Sequence, residues 1–223
     1  MEQSKLIYWD SLFETIRETV SKGGSALPSV SAVAENNSSA FRVLIATIIS
    51  LRTRDEVTLA ASERLFAVAD TPEKLDSLDE TTIAGLIYPA GFYKTKAANM
   101  KKIASILIET YDGRVPDTQD QLLSLPGVGI KTANLTLNLG FNIEAICVDT
   151  HVHRISNRMG WISTKSPEES EKELQKIMPR HHWIPLNELL VLFGQQVCTP
   201  LSPHCSTCPF DLTCAKEGVS RSR

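Results

Sequence analysis

Four of the five cysteines, Cys198, Cys205, Cys208 and Cys214, fall in one 17-residue window with the spacing C-x6-C-x2-C-x5-C. The short loops between them already hold the sulfurs close, so a centre ligated by all four would dictate the local fold. Five cysteines with none before Cys147 argue against a disulfide scaffold. Free structural thiols are usually buried and scattered, whereas these sit among Pro200, Pro203 and Pro209. Zinc sites usually pair two short knuckles; a single C-x2-C with unequal outer arms tilts the reading towards an iron–sulfur cluster and leaves zinc open. Either centre would be structural, because all four positions are protein ligands. Cys147, in the apolar run 145–148, reads as a core cysteine.

The rest of the chain reads as helix. Phe41, Leu44, Ile45, Ile48 and Ile49 recur at i, i+3, i+4, i+7 and i+8; Met100, Ile103, Ala104 and Leu107 follow the same rule, as do Leu174, Ile177 and Met178. Residues 186–197 are a further apolar helix. Thr71-Pro72-Glu73 looks like an N-cap with proline at the first helical position, and Ser166-Pro167 with Glu169 has capping-box spacing. Gly91, Gly113, Pro116, Pro126, Gly127, Gly129, Pro179 and Pro185 punctuate the pattern. Only residues 145–148 suggest a strand, and residues 219–223 read as a frayed tail. The fold class is all-α.

At 223 residues with 42% hydrophobic and 22% charged residues, the chain can bury an ordinary core. Apolar runs are too short to span a bilayer, no secretory h-region follows residues 1–6, and a cytosolic location is expected. A net charge of −3 stands against sequence-independent DNA binding. The charges segregate, however. Arg42, Arg52 and Arg54, then Lys94, Lys96, Lys101 and Lys102, then Lys131, Arg154 and Arg158 form basic groups, while Glu168, Glu169, Glu171 and Glu173 are concentrated elsewhere. This pattern permits one basic face.

The stretch 125–134, L-P-G-V-G-I-K-T-A-N, joins a helix near 119–124 to another starting near Ile130. Gly127 and Gly129 permit positive φ and close backbone approach. N–H groups at the start of the next helix, around Val128, Gly129 and Thr132, can bind a phosphodiester with no basic side chain. On its own a G-x-G turn is equally a tight connection between helices.

The whole string resembles the helix–hairpin–helix motif of base-excision glycosylases, and the chain resembles endonuclease III from about Phe41 to Cys214. The hairpin, V-D-T-H-V-H-R-I at 148–155, G-F-Y-K-T-K-A at 91–97 and the cysteine spacing carry that likeness. The strings L-I-Y-P-A-G-F and F-G-Q-Q-V-C look more like the eukaryotic branch. The resemblance implies a six-helix barrel domain at 33–143 and a helical iron–sulfur domain formed by 1–32 and 144–223. It also implies a [4Fe-4S] cluster on the four cysteines, and a cleft between the domains for a base flipped out of duplex DNA. Lys131 matches the family's catalytic lysine and Asp149 its catalytic aspartate. A neutral amine can attack the sugar C1′ and expel the base, and the resulting imine allows β-elimination of the 3′ phosphate. A carboxylate can stabilise positive charge developing on the sugar.

Each residue also has a plainer reading. A lysine in a first helical turn is usually a solvated charge, and Asp149 before Thr150-His151-Val152 can be an N-cap. His151 and His153 read as packing or capping residues. Phe92 sits where the family places an apolar wedge, though an aromatic at a helix junction is more often core. Arg52 stands where bacterial relatives carry a glutamine, which leaves opposite-base preference open; it could probe the orphan base or grip a phosphate. The 199–204 loop lacks the basic residues that relatives carry between the first two cysteines. The activity implied is a bifunctional glycosylase and abasic-site lyase, expected to act as a monomer on oxidised pyrimidines in duplex DNA. It would be cytoplasmic in a bacterium and nuclear or mitochondrial otherwise. Two rivals are a monofunctional adenine- or thymine-mismatch glycosylase, which Lys131 and Thr47 disfavour, and a non-enzymatic DNA-binding module.

Overall fold

The computed structural model describes residues 7–24, 26–36 and 39–223. Among them there are twelve α-helices and two 3-10 turns, and no strand. Residues 145–148, expected as a possible strand, run as irregular chain with Ile146, Cys147 and Val148 buried. They read as a strand because they are apolar, but among the described residues there is no strand to pair with them. No described helix is long and apolar enough to cross a membrane.

The chain falls into two compact units. One is Pro28–Ala145, holding α2 (Ser29–Asn36), α3 (Ala40–Ser50), α4 (Asp55–Val68), α5 (Pro72–Asp76), α6 (Glu80–Ile87), α7 (Tyr93–Tyr111), α8 (Gln119–Leu123) and α9 (Ile130–Phe141). Six of these have eight residues or more; α5 and α8 are short connectors. Helix α3 is the axis. Val43 through Ile49 are all buried, so the helix is apolar all round and must be enclosed by neighbours. It packs on α2, α4, α7 and most extensively on α9, where a Cβ on Gly140 would meet Ala40 Cα at 2.9 Å. Each fully buried Leu or Ile there contributes about 1.5–3 kcal/mol.

The second unit combines Ile146–Arg223 with the described part of Met1–Leu27. It contains α1 (Trp9–Lys22), α10 (Thr150–Arg158), α11 (Pro167–Ile177) and α12 (Trp183–Gln196). Trp9, Phe13, Ile16 and Val20 form the buried stripe of α1, which packs on α12; α10 packs on the same helix. Helix α12 begins earlier than its apolar run suggests. Pro185 lies in its first turn, where a missing N–H costs nothing.

The caps behave mostly as their residue types require. Thr71 accepts from the Lys74 N–H and Ser166 from the Glu169 N–H. Glu169 completes no capping box, because its carboxylate accepts from the Lys165 N–H one residue earlier. Leu174 is buried, but Ile177 is 41% exposed, because α11 ends there and Met178 takes the core position. Nor is the 219–223 segment frayed. The Arg223 N–H donates to Pro203 O at 2.8 Å, the Ser206 N–H donates to Arg223 O at 3.0 Å, and the Arg223 guanidinium donates to Ser202 O. Backbone bonds hold this segment, which side-chain pattern does not reveal.

Candidate active site and cysteine centre

In the Pro28–Ala145 unit, α8 ends at Leu123 with Ser124 as its C-cap, and the chain turns back through Leu125 to Gly129 into α9. Leu125 and Val128 are buried and anchor the turn in the core. The two glycines serve different ends. Gly127 has φ +78°, and an added Cβ would lie 2.4 Å from Asn99 Nδ2. Gly129 has φ −101° and ψ 177°, an extended conformation open to any residue, and nothing lies within 4 Å of its Cβ position. The expectation of positive φ therefore holds for Gly127 and fails for Gly129. What Gly129 keeps clear is the space before the first turn of α9, where helix N–H groups point outward without an intrahelical acceptor.

Lys131, half-buried, is the second residue of α9. Thr132 follows it fully buried, and its Oγ1 makes no hydrogen bond among the described residues. Asn134 is held from α8, its Oδ1 accepting from Gln119 Nε2 at 2.6 Å.

Arg52 and Phe92 sit on neighbouring turns of the same unit. Both are exposed, and both have left-handed backbones, φ 52° and 56°. The Arg52 guanidinium lies over the Phe92 ring, 5.5 Å from its centroid. At 62% exposed, Phe92 is not the core aromatic that its helix junction suggested. Non-glycine residues held in this region store strain, which the surroundings must enforce.

The enforcing residue is Lys96, which sequence reasoning missed. Counted above with the surface cations, it is only 6% exposed. Its ammonium donates to Ile49 O at 2.7 Å, Leu51 O at 2.6 Å and Thr53 Oγ1 at 2.9 Å. Thr53 Oγ1 in turn accepts from the Gly91 N–H. The lysine thus caps the end of α3 and ties the 51–54 turn to the turn bearing Phe92. Burial pushes its pKa down to about 8. Other members of the supposed basic face are also engaged: Lys101 pairs with Asp76 at 3.3 Å, and Arg42 lies over Phe66. Arg52, Arg54, Lys94 and Lys102 stay exposed.

In the second unit Asp149 is the N-cap of α10. Its Oδ1 accepts from the His151 and Val152 N–H groups at 2.8 and 2.9 Å. The carboxylate is therefore fixed, whatever else it does. His153 bonds Ser170 at 2.6 Å and His151 approaches Arg154, so both histidines are packing residues.

The cysteines line one cavity with Arg158, Phe193, Phe210 and Lys216. Arg158, nine-tenths buried, donates to Thr199 O at 2.8 Å, to Pro200 O at 2.5 Å and to Cys198 Sγ at 3.5 Å. Arg154 donates to Cys198 O at 3.0 Å, and the Lys216 N–H to Cys214 Sγ at 3.4 Å. These two arginines fasten the first cysteine arm and are not free for a DNA face. Burial, opposed by a backbone hydrogen bond at Phe210 and reinforced by the other three cysteines, pushes the Cys208 thiol up to about 11. Four thiolates can share such a place only around a cationic centre. Among the described residues, no three of these sulfurs lie within 4.8 Å of one another.

Residues 45–180, well over half of the chain, match the family model of the HhH-GPD superfamily of base excision DNA repair proteins. Endonuclease III of Thermotoga maritima is 50% identical over 168 residues, covering 75% of this chain and 79% of that protein. A solved structure of a trapped endonuclease III–DNA covalent intermediate superposes with a TM-score of 0.81 at 31% identity, covering 95% and 97% of the two chains. The chain belongs to the endonuclease III family. The chloroplastic endonuclease III homolog 2 of Arabidopsis thaliana is 51% identical over 183 residues, 78% of this chain, which spans about half (47%) of that longer relative. A thermostable thymine-DNA glycosylase shares the fold, with a TM-score of 0.79 at 23% identity.

Proposed function

We propose that the chain is a bifunctional DNA glycosylase and abasic-site lyase of base excision repair, acting on oxidised pyrimidines in duplex DNA. The observation that carries this reading is Lys131 in the first turn of α9, directly after the L-P-G-V-G hairpin, in a chain of the endonuclease III family. The hairpin amides and the open space at Gly129 hold a phosphodiester, and Val128 and Thr132 frame that turn. Lys131 Nζ attacks C1′ of the sugar, the bond to the base breaks, and the base leaves with the electron pair. The sugar ring then opens: the C1′–O4′ bond breaks, O4′ takes up a proton to become a hydroxyl, and the nitrogen loses a proton as the C1′=N bond forms, giving an imine. Removal of a C2′ proton then breaks the C3′–O bond and releases the 3′ phosphate; hydrolysis frees the lysine. Asp149, fixed by the α10 N-terminus, stabilises positive charge on the sugar. Arg52 and Phe92 fill the stack that a flipped nucleotide vacates.

The Pro28–Ala145 unit is assigned as the barrel domain and the other as the cluster domain. Cys198, Cys205, Cys208 and Cys214 hold a [4Fe-4S] cluster, which pins the 198–214 loop. The single C-x2-C with unequal outer arms favours this larger centre over a single tetrahedral zinc. The protein works as a monomer where duplex DNA is kept: cytoplasmic in a bacterium, nuclear or in a DNA-bearing organelle otherwise. A monofunctional mismatch glycosylase is disfavoured by Lys131 and by Thr47, a fully buried hydroxyl bonded to Val43 O.

The test is a strand-cleavage assay on duplexes carrying one thymine glycol or hydroxycytosine. The expected result is base release coupled to nicking, both lost in Lys131→Ala. Base release without nicking would favour the monofunctional rival.

A further inference from the structure

Asp10, in the first turn of α1, meets His181 and His182 at the turn that leads into α12. The two imidazoles use the same ring nitrogen on the same oxygen. His181 Nε2 lies 2.9 Å and His182 Nε2 2.8 Å from Asp10 Oδ1. Hydrogen bonds from two rings converge on one point in space, and a carboxylate oxygen now occupies it. Among the described residues, this is the only set of three potential metal ligands whose donor atoms all lie within 4.8 Å of one another.

The rings are differently held, which matters for binding. The His182 side chain is 8% exposed and stacks on Phe13 with centroids 4.2 Å apart and planes 23° apart. Its orientation is set before any ligand arrives. His181 packs against it at 4.1 Å and is 63% exposed, and the Asp10 side chain is 84% exposed. One ligand is therefore rigid and two can adjust. Burial lowers the pKa of His182 while Asp10 raises it in opposition; His181 and Arg17 add to the lowering.

We propose that Asp10, His181 and His182 form a binding site for one divalent transition-metal ion, distinct from the cysteine centre. The ion sits near the present position of Oδ1, at about 2.0–2.2 Å from two nitrogens and one carboxylate oxygen, and the exposed carboxylate draws back to admit it. Both Nε2 protons transfer through water to Nδ1, so each imidazole stays neutral and ligates through the vacated lone pair. Two imidazoles and a carboxylate suit zinc and its neighbours rather than magnesium or calcium. The open positions face solvent and take water. A bound ion staples α1 to the start of α12, which are joined there by one carboxylate shared between two rings.

The experiment uses the full chain with its cysteine centre loaded, and zinc as the probe. Calorimetric titration is expected to give one saturable site, with a melting temperature that rises with zinc concentration, as binding to the folded state alone requires. Asp10→Asn and His181→Ala, both at exposed positions, should each weaken binding at least about tenfold and abolish the thermal shift while the visible absorbance of the cluster is unchanged. Binding should also be lost at pH 5, when protons compete for the imidazoles. Absence of a saturable site at micromolar zinc overturns the proposal, as does binding that survives both substitutions. A zinc effect accompanied by bleaching of the cluster, equal in wild type and variants, places the ion on the cysteines and overturns it too.

Discussion

The two hairpin glycines allow folding and phosphate binding to be perturbed separately. At Gly127 an alanine must adopt φ +78°, which costs about 1–2 kcal/mol for an L-residue. Its Cβ must also displace Asn99 Nδ2, 2.4 Å away; that amide is the end of a mobile side chain, so the added cost is small. Gly127→Ala should therefore lower the melting temperature by about 2–8 °C for a chain of this size. At Gly129 the backbone is already allowed for alanine and the Cβ position is empty. Gly129→Ala should leave stability unchanged or raise it by about 0.4–1 kcal/mol through the unfolded chain. Yet its methyl group intrudes where the phosphate must approach. Losing one to two charge-assisted amide bonds, about 1.5–3 kcal/mol, weakens binding by about 10- to 100-fold. Thermal melting monitored by circular dichroism, with fluorescence anisotropy on a duplex bearing a stable abasic analogue, measures both quantities. If Gly129→Ala binds that duplex as tightly as wild type, the anion site is not where the hairpin puts it. If it melts as low as Gly127→Ala, the division of labour is wrong.

Other substitutions probe the remaining parts. Lys96 holds its proton only up to about 8 in the folded chain against an ordinary 10.5, so the unfolded state binds more protons between those values. Wild-type stability should therefore rise with pH across that window by about 3 kcal/mol relative to Lys96→Met, and equal slopes in urea melts at pH 7.5 and 10 would refute this. Asp149→Asn keeps an acceptor for the two amides of α10 and removes the charge. It should melt within about 0.5 kcal/mol of wild type while single-turnover base release slows by about 10²–10⁴-fold, whereas Asp149→Ala should also lose about 1 kcal/mol of stability. Cys208→Ser should abolish the iron content measured after purification, and proteolysis should then open the 198–214 loop first; full iron with intact protection would exclude it as a ligand. Arg158→Met should destabilise by about 2–4 kcal/mol, since it leaves the Thr199 and Pro200 carbonyls without their charged donor.

Much of this was legible because local rules and the fold agree. The 41–49 periodicity marked the buried axis, Thr71 and Ser166 marked helix starts, and the cysteine spacing marked one centre. What escaped depends on long-range partners. Lys96 lies on the apolar stripe of α7, four residues before Met100 and seven before Ile103, so its burial was readable from the same periodicity. Charge alone placed it on the surface. Its acceptors lie on α3 and the turn after it, over 40 residues away, and no pattern announces them. Arg158 was counted as a DNA-facing cation for the same reason, yet its partners are carbonyls beside Cys198. Backbone contacts are invisible to side-chain reasoning, which is why residues 145–148 looked like a strand and Arg223 looked loose. The glycines show a further limit: spacing identifies the hairpin, but only dihedral angles separate the glycine the turn needs from the one its ligand needs.

The central claim is that a single amine on α9 becomes bonded to deoxyribose. Reduction with borohydride during turnover on abasic duplex DNA, followed by digestion and mass spectrometry of the linked peptide, tests it directly. The account predicts a sugar remnant on Lys131 and no linked product from Lys131→Ala. A remnant on any other amine, or undiminished cross-linking of that variant, would contradict it.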